Sequence, residues 1–153
     1  MTAPLLVFGW GNASRGDDAL GPQAIEHLRE RLGAAAEGRI DFLDDYQLQP
    51  EHALDLVGRE RVLFLDASVA CAAPFEISAV RPQRDASFSS HAMSPAALLQ
   101  VFVELQGAEP PPCTLLAIRG ESFELGAPPG EAALDHLSAA LDWAAAWLVS
   151  PAR

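Results

Sequence analysis

The sequence predicts an α/β protein with a mainly parallel sheet that is covered by helices on both faces. Short apolar segments alternate along the chain with segments of helical periodicity, which is typical of strands joined by crossover helices. The first apolar segment is nearly continuous, as expected for a strand that is buried on both faces. With 153 residues, half of them apolar and 20% charged, the chain suits a single domain over residues 1–153.

The first unit of this fold is a strand, a loop and a helix. Residues 4–9 form the apolar run, which ends at a glycine. Asp17 or Asp18 can cap the helix that follows, Pro22 lies in its first turn, and Gly33 stands just after its last periodic residue. The sequence therefore predicts a β-loop-α unit that ends near Gly33.

The remaining segments continue the alternation. Further strands are predicted at residues 39–43, 61–65, 74–80 and 114–118, and further helices at residues 50–57, 94–105 and 131–149. The last helix has an apolar stripe at helical spacing, formed by Leu134, Leu137, Leu141, Ala145 and Leu148. Right-handed crossovers bring the carboxyl ends of parallel strands to one edge of the sheet, where ligand sites form.

Composition and charge exclude several classes of function. The formal net charge is -11, and every basic residue is an arginine, so a surface for nucleic acid is not expected. Charged residues interrupt the Ala-rich C-terminal helix, which excludes a membrane span, and no basic residue precedes the short N-terminal apolar run, so we expect a cytoplasmic protein. Cys71 and Cys113 lack a C-x-x-C partner and are interpreted as buried, reduced thiols.

Three polar residues are expected at the carboxyl edge of the sheet. Asp18 follows the first strand, Asp66 ends the third, and His91 precedes the helix that begins at Ser94. Two carboxylates and an imidazole suit nickel or zinc with open coordination positions, and they equally suit acid-base chemistry. Each residue also has a structural interpretation, in which Asp18 caps a helix, Asp66 begins a turn and His91 is solvated in a polar loop.

The glycine-rich loop at residues 9–16 first suggests a dinucleotide site. Ser14 stands where the third glycine of G-x-G-x-x-G would fall, and Asp17 and Asp18 would repel a pyrophosphate at the helix entrance. This pattern disfavours an organic nucleotide cofactor.

A serine hydrolase is a second interpretation of the same loop. Ser14, Asp66 and His91 follow one another in the order Ser, Asp, His, and Gly16 is correctly placed for a nucleophile elbow. Asn12 stands where that elbow needs a glycine, and the chain is short for an α/β-hydrolase. The H-E-x-x-H pattern of zinc proteases is absent.

Three short segments carry a more specific signal. The first comprises residues 8–12, FGWGN, with residues 15–22, RGDDALGP; the second is residues 63–67, LFLDA; the third is residues 90–95, SHAMSP. In this order they resemble the signature of the hydrogenase maturation endopeptidases, which process the C-terminus of the large subunit of nickel-iron hydrogenases. The three segments span most of the chain.

The resemblance implies a site. In that family an acidic residue in the first loop, an aspartate after the third strand and a histidine in a later loop contact the metal, and by position these are Asp18, Asp66 and His91. Many members have a glutamate at the first position, and the aspartate here is one methylene shorter. The chain departs from many members after its second strand, where residues 44–49 read DDYQLQ in place of a Gly-rich loop. In this loop the chain resembles the branch of the family that is associated with soluble, cytoplasmic hydrogenases.

The resemblance also implies an architecture and a mechanism. The fold is a three-layer, twisted five-stranded sheet, in which residues 74–80 form an antiparallel strand. The peptidase recognises nickel that is already loaded in the large-subunit precursor and removes a C-terminal extension, so the metal comes with the substrate and no organic cofactor is needed. We expect a monomer whose partner is this precursor. A non-catalytic module that binds the large subunit is the alternative.

Overall fold

The computed structural model describes residues 2–84 and 93–150, and it confirms the predicted α/β architecture. The five strands are β1 (Leu5–Trp10), β2 (Ile40–Asp45), β3 (Arg61–Ser68), β4 (Phe75–Val80) and β5 (Cys113–Arg119). They form one sheet in the order β2-β1-β3-β5-β4. All neighbouring pairs are parallel except β4 and β5, which confirms the predicted antiparallel strand.

Helices cover both faces of the sheet. The α-helices are α1 (Leu20–Leu32), α2 (Pro95–Gln106) and α3 (Glu131–Val149). One apolar layer packs α1 and α3 against the sheet, and a second layer on the opposite face packs α2 and the 3-10 helix Pro50–Leu56. The three-layer prediction is therefore confirmed.

The sequence located α2 and α3 well. Ser94 caps α2, since its hydroxyl accepts a hydrogen bond from the Ala97 N–H at 3.1 Å. The predicted stripe of α3 is confirmed at Leu137 and Leu148, and Leu141 and Ala145 pack partly buried against the core, but Leu134 is 44% exposed. The residues that α3 buries are Ala133, Leu137, Ala140, Ala144 and Leu148. Three of them are alanines, whose small side chains allow the helix to approach the sheet closely.

Two local predictions concern short helical segments. A short helix begins at Pro50, as predicted, and it is the 3-10 helix Pro50–Leu56. The predicted cap of α1 is wrong. Neither Asp17 nor Asp18 caps α1, because a 3-10 turn, Gly16–Ala19, precedes that helix and its N-cap residue, Ala19, makes no side-chain cap bond. Both aspartates bond to other parts of the chain instead, as described below.

Two features of the composition have structural counterparts. Cys71 and Cys113 are both buried and free of disulfides, as predicted, and burial raises the pKa of the Cys113 thiol to about 12. Within the described part of the chain, no helix has the length and apolar character that crossing a membrane requires.

Candidate functional site

The carboxyl ends of β1 and β3 lie side by side and form the candidate site. The two strands are parallel, with Gly9 opposite Leu65, so Trp10 and Asp66 continue them at the same edge. The 3-10 turn Gly16–Ala19, which joins β1 to α1, contacts β3 and carries Asp18. The sheet thus brings together the two carboxylates that the sequence predicted. The third predicted member, His91, lies outside the described residues.

Two glycines allow the turn and the start of α1 to pack closely against neighbouring backbone. A Cβ atom at Gly21 would collide with the carbonyl oxygen of Trp10 and would lie 3.0 Å from that of Leu65. Gly16 has a φ of 55°, a left-handed conformation, and a Cβ atom there would lie 2.5 Å from the carbonyl oxygen of Ser122. A larger residue at Gly21 would push the start of α1 away from the strand ends, and one at Gly16 would push the turn away from the loop that contains Ser122.

The pKa of Asp66 is strongly raised. Burial of its carboxyl group is the main cause, and the negative charge of Asp18 adds to it, so the pKa rises to about 7. Hydrogen bonds from the Ala67 backbone and the Trp10 side chain lower the pKa without offsetting these two effects. Near neutral pH the Asp66 carboxyl group is therefore able to hold or release a proton.

The carboxylate of Asp18 is held in place by the loop that precedes it. Its Oδ2 atom accepts a hydrogen bond from the Asn12 N–H at 2.8 Å. The Asp18 carboxylate is thus fixed by a backbone hydrogen bond, and the pKa of the Asp66 carboxyl lies near neutral pH. Such a pair suits acid-base chemistry, and it equally suits a divalent cation, which would relieve the repulsion between the two groups.

The structural interpretations of these two aspartates are wrong. Asp18 bonds backwards to the β1 loop rather than to the first turn of α1. Asp66 lies inside β3, which continues to Ser68, so it does not begin a turn. Neither residue therefore has a simple capping or turn function.

Ser14, the nucleophile of the alternative hydrolase, is exposed on the same loop. Its backbone N–H donates to Asn12 Oδ1 at 2.9 Å, and its carbonyl oxygen accepts from the Gly126 N–H at 2.6 Å. Among residues 2–84 and 93–150, its hydroxyl has no hydrogen-bond partner. A Ser14–His91–Asp66 relay stays untested, because His91 lies outside that range.

Two of the three described histidines have partners elsewhere in the chain. His52 Nε2 lies within hydrogen-bond distance of Asp45 Oδ2, at 3.0 Å, and His136 Nδ1 lies 3.0 Å from the carbonyl oxygen of Arg119. His27 is exposed on α1. Within residues 2–84 and 93–150, no group of three or more His, Cys, Asp or Glu residues is placed so that it could bind a metal. Asp18 and Asp66 would need a further ligand from His91 or from a bound partner.

The fold that carries the aspartate pair is similar to the folds of several solved structures. HybD, the hydrogenase maturating endopeptidase from E. coli, is 24% identical over 94% of this chain and 91% of its own, with a TM-score of 0.72. HycI, a NiFe hydrogenase maturation protease from Thermococcus kodakarensis, is 21% identical over 97% of this chain and 94% of its own, with a TM-score of 0.71. The chain has the fold of the hydrogenase maturation proteases. No protein-family model matches the sequence, and no curated protein is significantly similar to it.

A third solved structure shows the same relationship. The hydrogenase 2 maturation peptidase from Thaumarchaeota archaeon SCGC_AB-539-E09 is 24% identical over 95% of this chain and 97% of its own, with a TM-score of 0.66. The similarity thus extends over nearly the full length of both chains. At sequence identities of 21–24%, the similarity establishes the hydrogenase maturation protease fold.

A groove lies beside the loop that holds the Asp18 carboxylate. A cavity of about 410 Å³ lies between the loop after β1, which contributes Asn12 and Ser14, and the loop after β2, which contributes Asp44 and Tyr46. The amide of Asn12 donates to the Tyr46 hydroxyl at 2.9 Å and links the two loops. Large apolar side chains are exposed near this edge, namely Tyr46 (63%), Val69 (53%) and Leu125 (73%). Exposed apolar surface beside a groove is typical of a protein-binding site.

Asp17 is the structural residue that the sequence analysis missed. Its side chain is buried, and its carboxylate accepts hydrogen bonds from three backbone N–H groups, those of Glu121, Ser122 and Gly130. Burial alone raises the pKa of this carboxyl, but the three hydrogen bonds and the charge of His136 together lower it below its ordinary value. The sequence offered Asp17 only as a helix cap.

Replacing Asp66 with asparagine is expected to stabilise the folded protein above pH 7. The pKa is about 7 in the folded state against 3.8 ordinarily, so between these pH values the folded protein keeps a proton that the unfolded chain releases. The free energy of unfolding should therefore fall as the pH rises from about 4 to about 7, by roughly 4 kcal/mol at most. Asparagine does not ionise, so this loss should disappear.

Urea denaturation of the wild type and of Asp66→Asn at pH 4 and pH 8 measures this effect. The variant should be the more stable protein at pH 8, and the two should converge at pH 4. The raised pKa is contradicted if the wild type and the variant show the same change in unfolding free energy between the two pH values.

Proposed function

We propose that the protein is an endopeptidase that removes a C-terminal extension from the nickel-loaded precursor of a nickel-iron hydrogenase large subunit. The observation that carries this proposal is the meeting of Asp18 and Asp66 at the carboxyl ends of β1 and β3. Support also comes from the fold, which the chain shares with solved hydrogenase maturation proteases. We place the reaction in the cytoplasm, with the protein acting as a monomer.

In this proposal Asp18, Asp66 and His91 contact nickel that arrives in the precursor. Asp18, fixed by the Asn12 N–H, would provide one oxygen ligand. A nearby divalent cation lowers the pKa of a carboxyl group, so Asp66 would release its proton and provide a second one. His91 would act as the third ligand or as the general base. Nickel, as a Lewis acid, would polarise the scissile carbonyl or lower the pKa of a bound water molecule.

The groove beside the site supports a polypeptide substrate. An extended C-terminal segment would fit between the loops after β1 and β2, with Asn12 and Tyr46 at their point of contact. The exposed side chains of Val69 and Leu125 would widen the contact with the body of the precursor. Asp44 and Asp45 make the wall on the β2 side acidic.

Incubation with a nickel-loaded precursor that carries its C-terminal extension tests the function. Mass spectrometry should show a shortened large subunit and a released peptide. Stable association without any released peptide would instead indicate the non-catalytic binding module.

Replacing Ser14 with alanine separates the proposal from the serine-hydrolase alternative. Because the Ser14 hydroxyl has no partner in the described part of the chain and the groups proposed to act are Asp18, Asp66 and His91, Ser14→Ala should process precursor within about threefold of the wild-type rate. A time course of released peptide measures this rate. Complete loss of cleavage in a folded Ser14→Ala protein, with inactivation of the wild type by a serine-directed reagent, would favour the hydrolase.

A further inference from the structure

The loop between β5 and α3, residues 120–130, is tied to the turn that carries Asp18. We call it the 120–130 loop. Three backbone hydrogen bonds join the two segments: Gly16 N–H to Ala127 O at 2.9 Å, Asp17 N–H to Ser122 O at 2.9 Å, and Gly126 N–H to Ser14 O at 2.6 Å. An antiparallel bridge between Arg15 and Leu125 lies in the same contact. Two segments more than 100 positions apart thus form one structural unit.

The side chain of Asp17 lies at the centre of this contact. It is 2% exposed, and both of its carboxylate oxygens are used. Oδ2 accepts from the N–H groups of Glu121 at 2.7 Å and Ser122 at 3.1 Å, and Oδ1 accepts from the N–H group of Gly130 at 2.7 Å. A buried carboxylate with three backbone donors is ionised and rigidly placed. Asp17 therefore fixes both ends of the 120–130 loop to the turn.

Asp17 and Asp18 are neighbours in a turn of four residues, but their side chains make different contacts. The carboxylate of Asp17 bonds to the 120–130 loop, whereas that of Asp18 bonds to the Asn12 N–H. Because the turn has only four residues, a displacement of Asp17 also displaces Asp18. We propose that Asp17 is a positioning residue, which anchors the Gly16–Ala19 turn to the 120–130 loop and so holds the Asp18 carboxylate beside Asp66. This inference rests on the proposed function for its effect on turnover.

The Asp17→Asn variant tests the inference directly. Asparagine keeps the shape of the side chain but turns one acceptor oxygen into an NH₂ donor, which would face backbone N–H groups. The amide of Asn12 reports the position of Asp18, because it donates to the Asp18 carboxylate. We expect its proton resonance to move upfield and its hydrogen exchange to become about tenfold faster, the factor for loss of roughly one hydrogen bond.

A matched pair at Gly130 gives a second test if Asp17→Asn does not fold. Gly130 has a φ of -73°, which proline and alanine both adopt. Gly130→Pro removes the N–H that Asp17 accepts, while Gly130→Ala keeps it and places its Cβ at an ordinary distance of 3.7 Å from Asp17 Oδ1. The proline variant should change the Asn12 amide as Asp17→Asn does, and the alanine variant should not.

Turnover of the precursor gives the functional measurement. A small misplacement of Asp18 should lower kcat by roughly 100-fold and leave KM nearly unchanged, because the groove itself is intact. Asp41→Asn is the control, since Asp41 accepts hydrogen bonds from Ala3 and Arg59 at the opposite edge of the sheet. It should lose stability but keep the wild-type kcat and the wild-type Asn12 amide.

These outcomes separate the inference from the proposed function. If the wild type cuts no precursor, the proposed function fails, and the Asn12 amide still shows whether Asp17 places Asp18. A folded Asp17→Asn protein with the wild-type Asn12 resonance overturns the inference. It is equally overturned if the resonance moves while kcat on precursor is unchanged.

Discussion

Precursor mixed with the Asp66→Asn protein should remain at full length. Asparagine has the shape of aspartate but cannot exchange a proton near pH 7 and binds a divalent cation poorly, so both proposed uses of Asp66 are lost. Removing a proton-transfer group alone costs roughly 10²–10⁴-fold in rate, and losing metal contact as well should bring cleavage below detection. We expect the same result for His91→Ala, in which the predicted third member of the site is removed.

The control for this experiment is a second aspartate that lies away from the site. Asp41→Asn makes the same chemical change at the other edge of the sheet, where Asp41 pairs with Arg59, and it should process precursor normally. Circular dichroism should be native for Asp66→Asn, His91→Ala and Asp41→Asn. Processing at the normal rate by folded Asp66→Asn or folded His91→Ala would show that the site is wrongly assigned.

The sequence predicted the neighbouring strands β1 and β3 because both are apolar on both faces. Residues 4–9 and 61–65 admit few alternatives to buried parallel strands, and the structure places β1 and β3 there as neighbours. Asp66 stands at the end of such an apolar run, where burial is costly for a carboxylate. The position of a charged residue in an apolar strand was thus the signal that located one half of the aspartate pair. Asp18 followed from the loop after the adjoining strand.

The role of Asp17 could not be predicted in the same way. Its three donors are backbone N–H groups of Glu121, Ser122 and Gly130, and every residue except proline has such a group. Side-chain identity at these positions therefore carries no sign of the contact, and more than 100 positions separate them from Asp17. Two consecutive aspartates in one loop were the only hint. Local reasoning offered either aspartate as a helix cap and selected only Asp18 for the site.

The error at Leu134 in α3 has a similar physical origin. Periodicity predicted Leu134 as a core residue because leucine is more apolar than alanine. In the structure the helix approaches the sheet through Ala133, Ala140 and Ala144, and Leu134 is left partly exposed. A helix that lies close to a sheet needs small side chains at the contact. How close it lies depends on the sheet, so the sequence of the helix alone does not predict which small residues are buried.

Precursor that lacks nickel should stay uncut even when this protein is in excess. The proposed site combines two carboxylates, Asp18 and Asp66, with the predicted His91, and structural metal sites usually close four ligands around the ion. The repulsion between Asp18 and Asp66 helps to raise the pKa of Asp66, and either a proton or a bound cation relieves it. A proton therefore competes with a weakly bound ion near neutral pH. Nickel held by the precursor brings its own ligands and overcomes this competition. Cleavage should therefore report that the large subunit is loaded.

Dialysis of the purified protein against a chelator separates this mechanism from that of a resident-metal protease. After dialysis the protein should cut nickel-loaded precursor at nearly its original rate, because its part of the site needs no ion of its own. With nickel-free precursor the same preparation should release no peptide, and adding nickel to the precursor before mixing should restore cleavage. One equivalent of zinc that survives dialysis, and whose forced removal stops cleavage of loaded precursor, would contradict the mechanism. In that case Asp18, Asp66 and His91 would hold a permanent catalytic metal, and the enzyme would not sense nickel in its substrate.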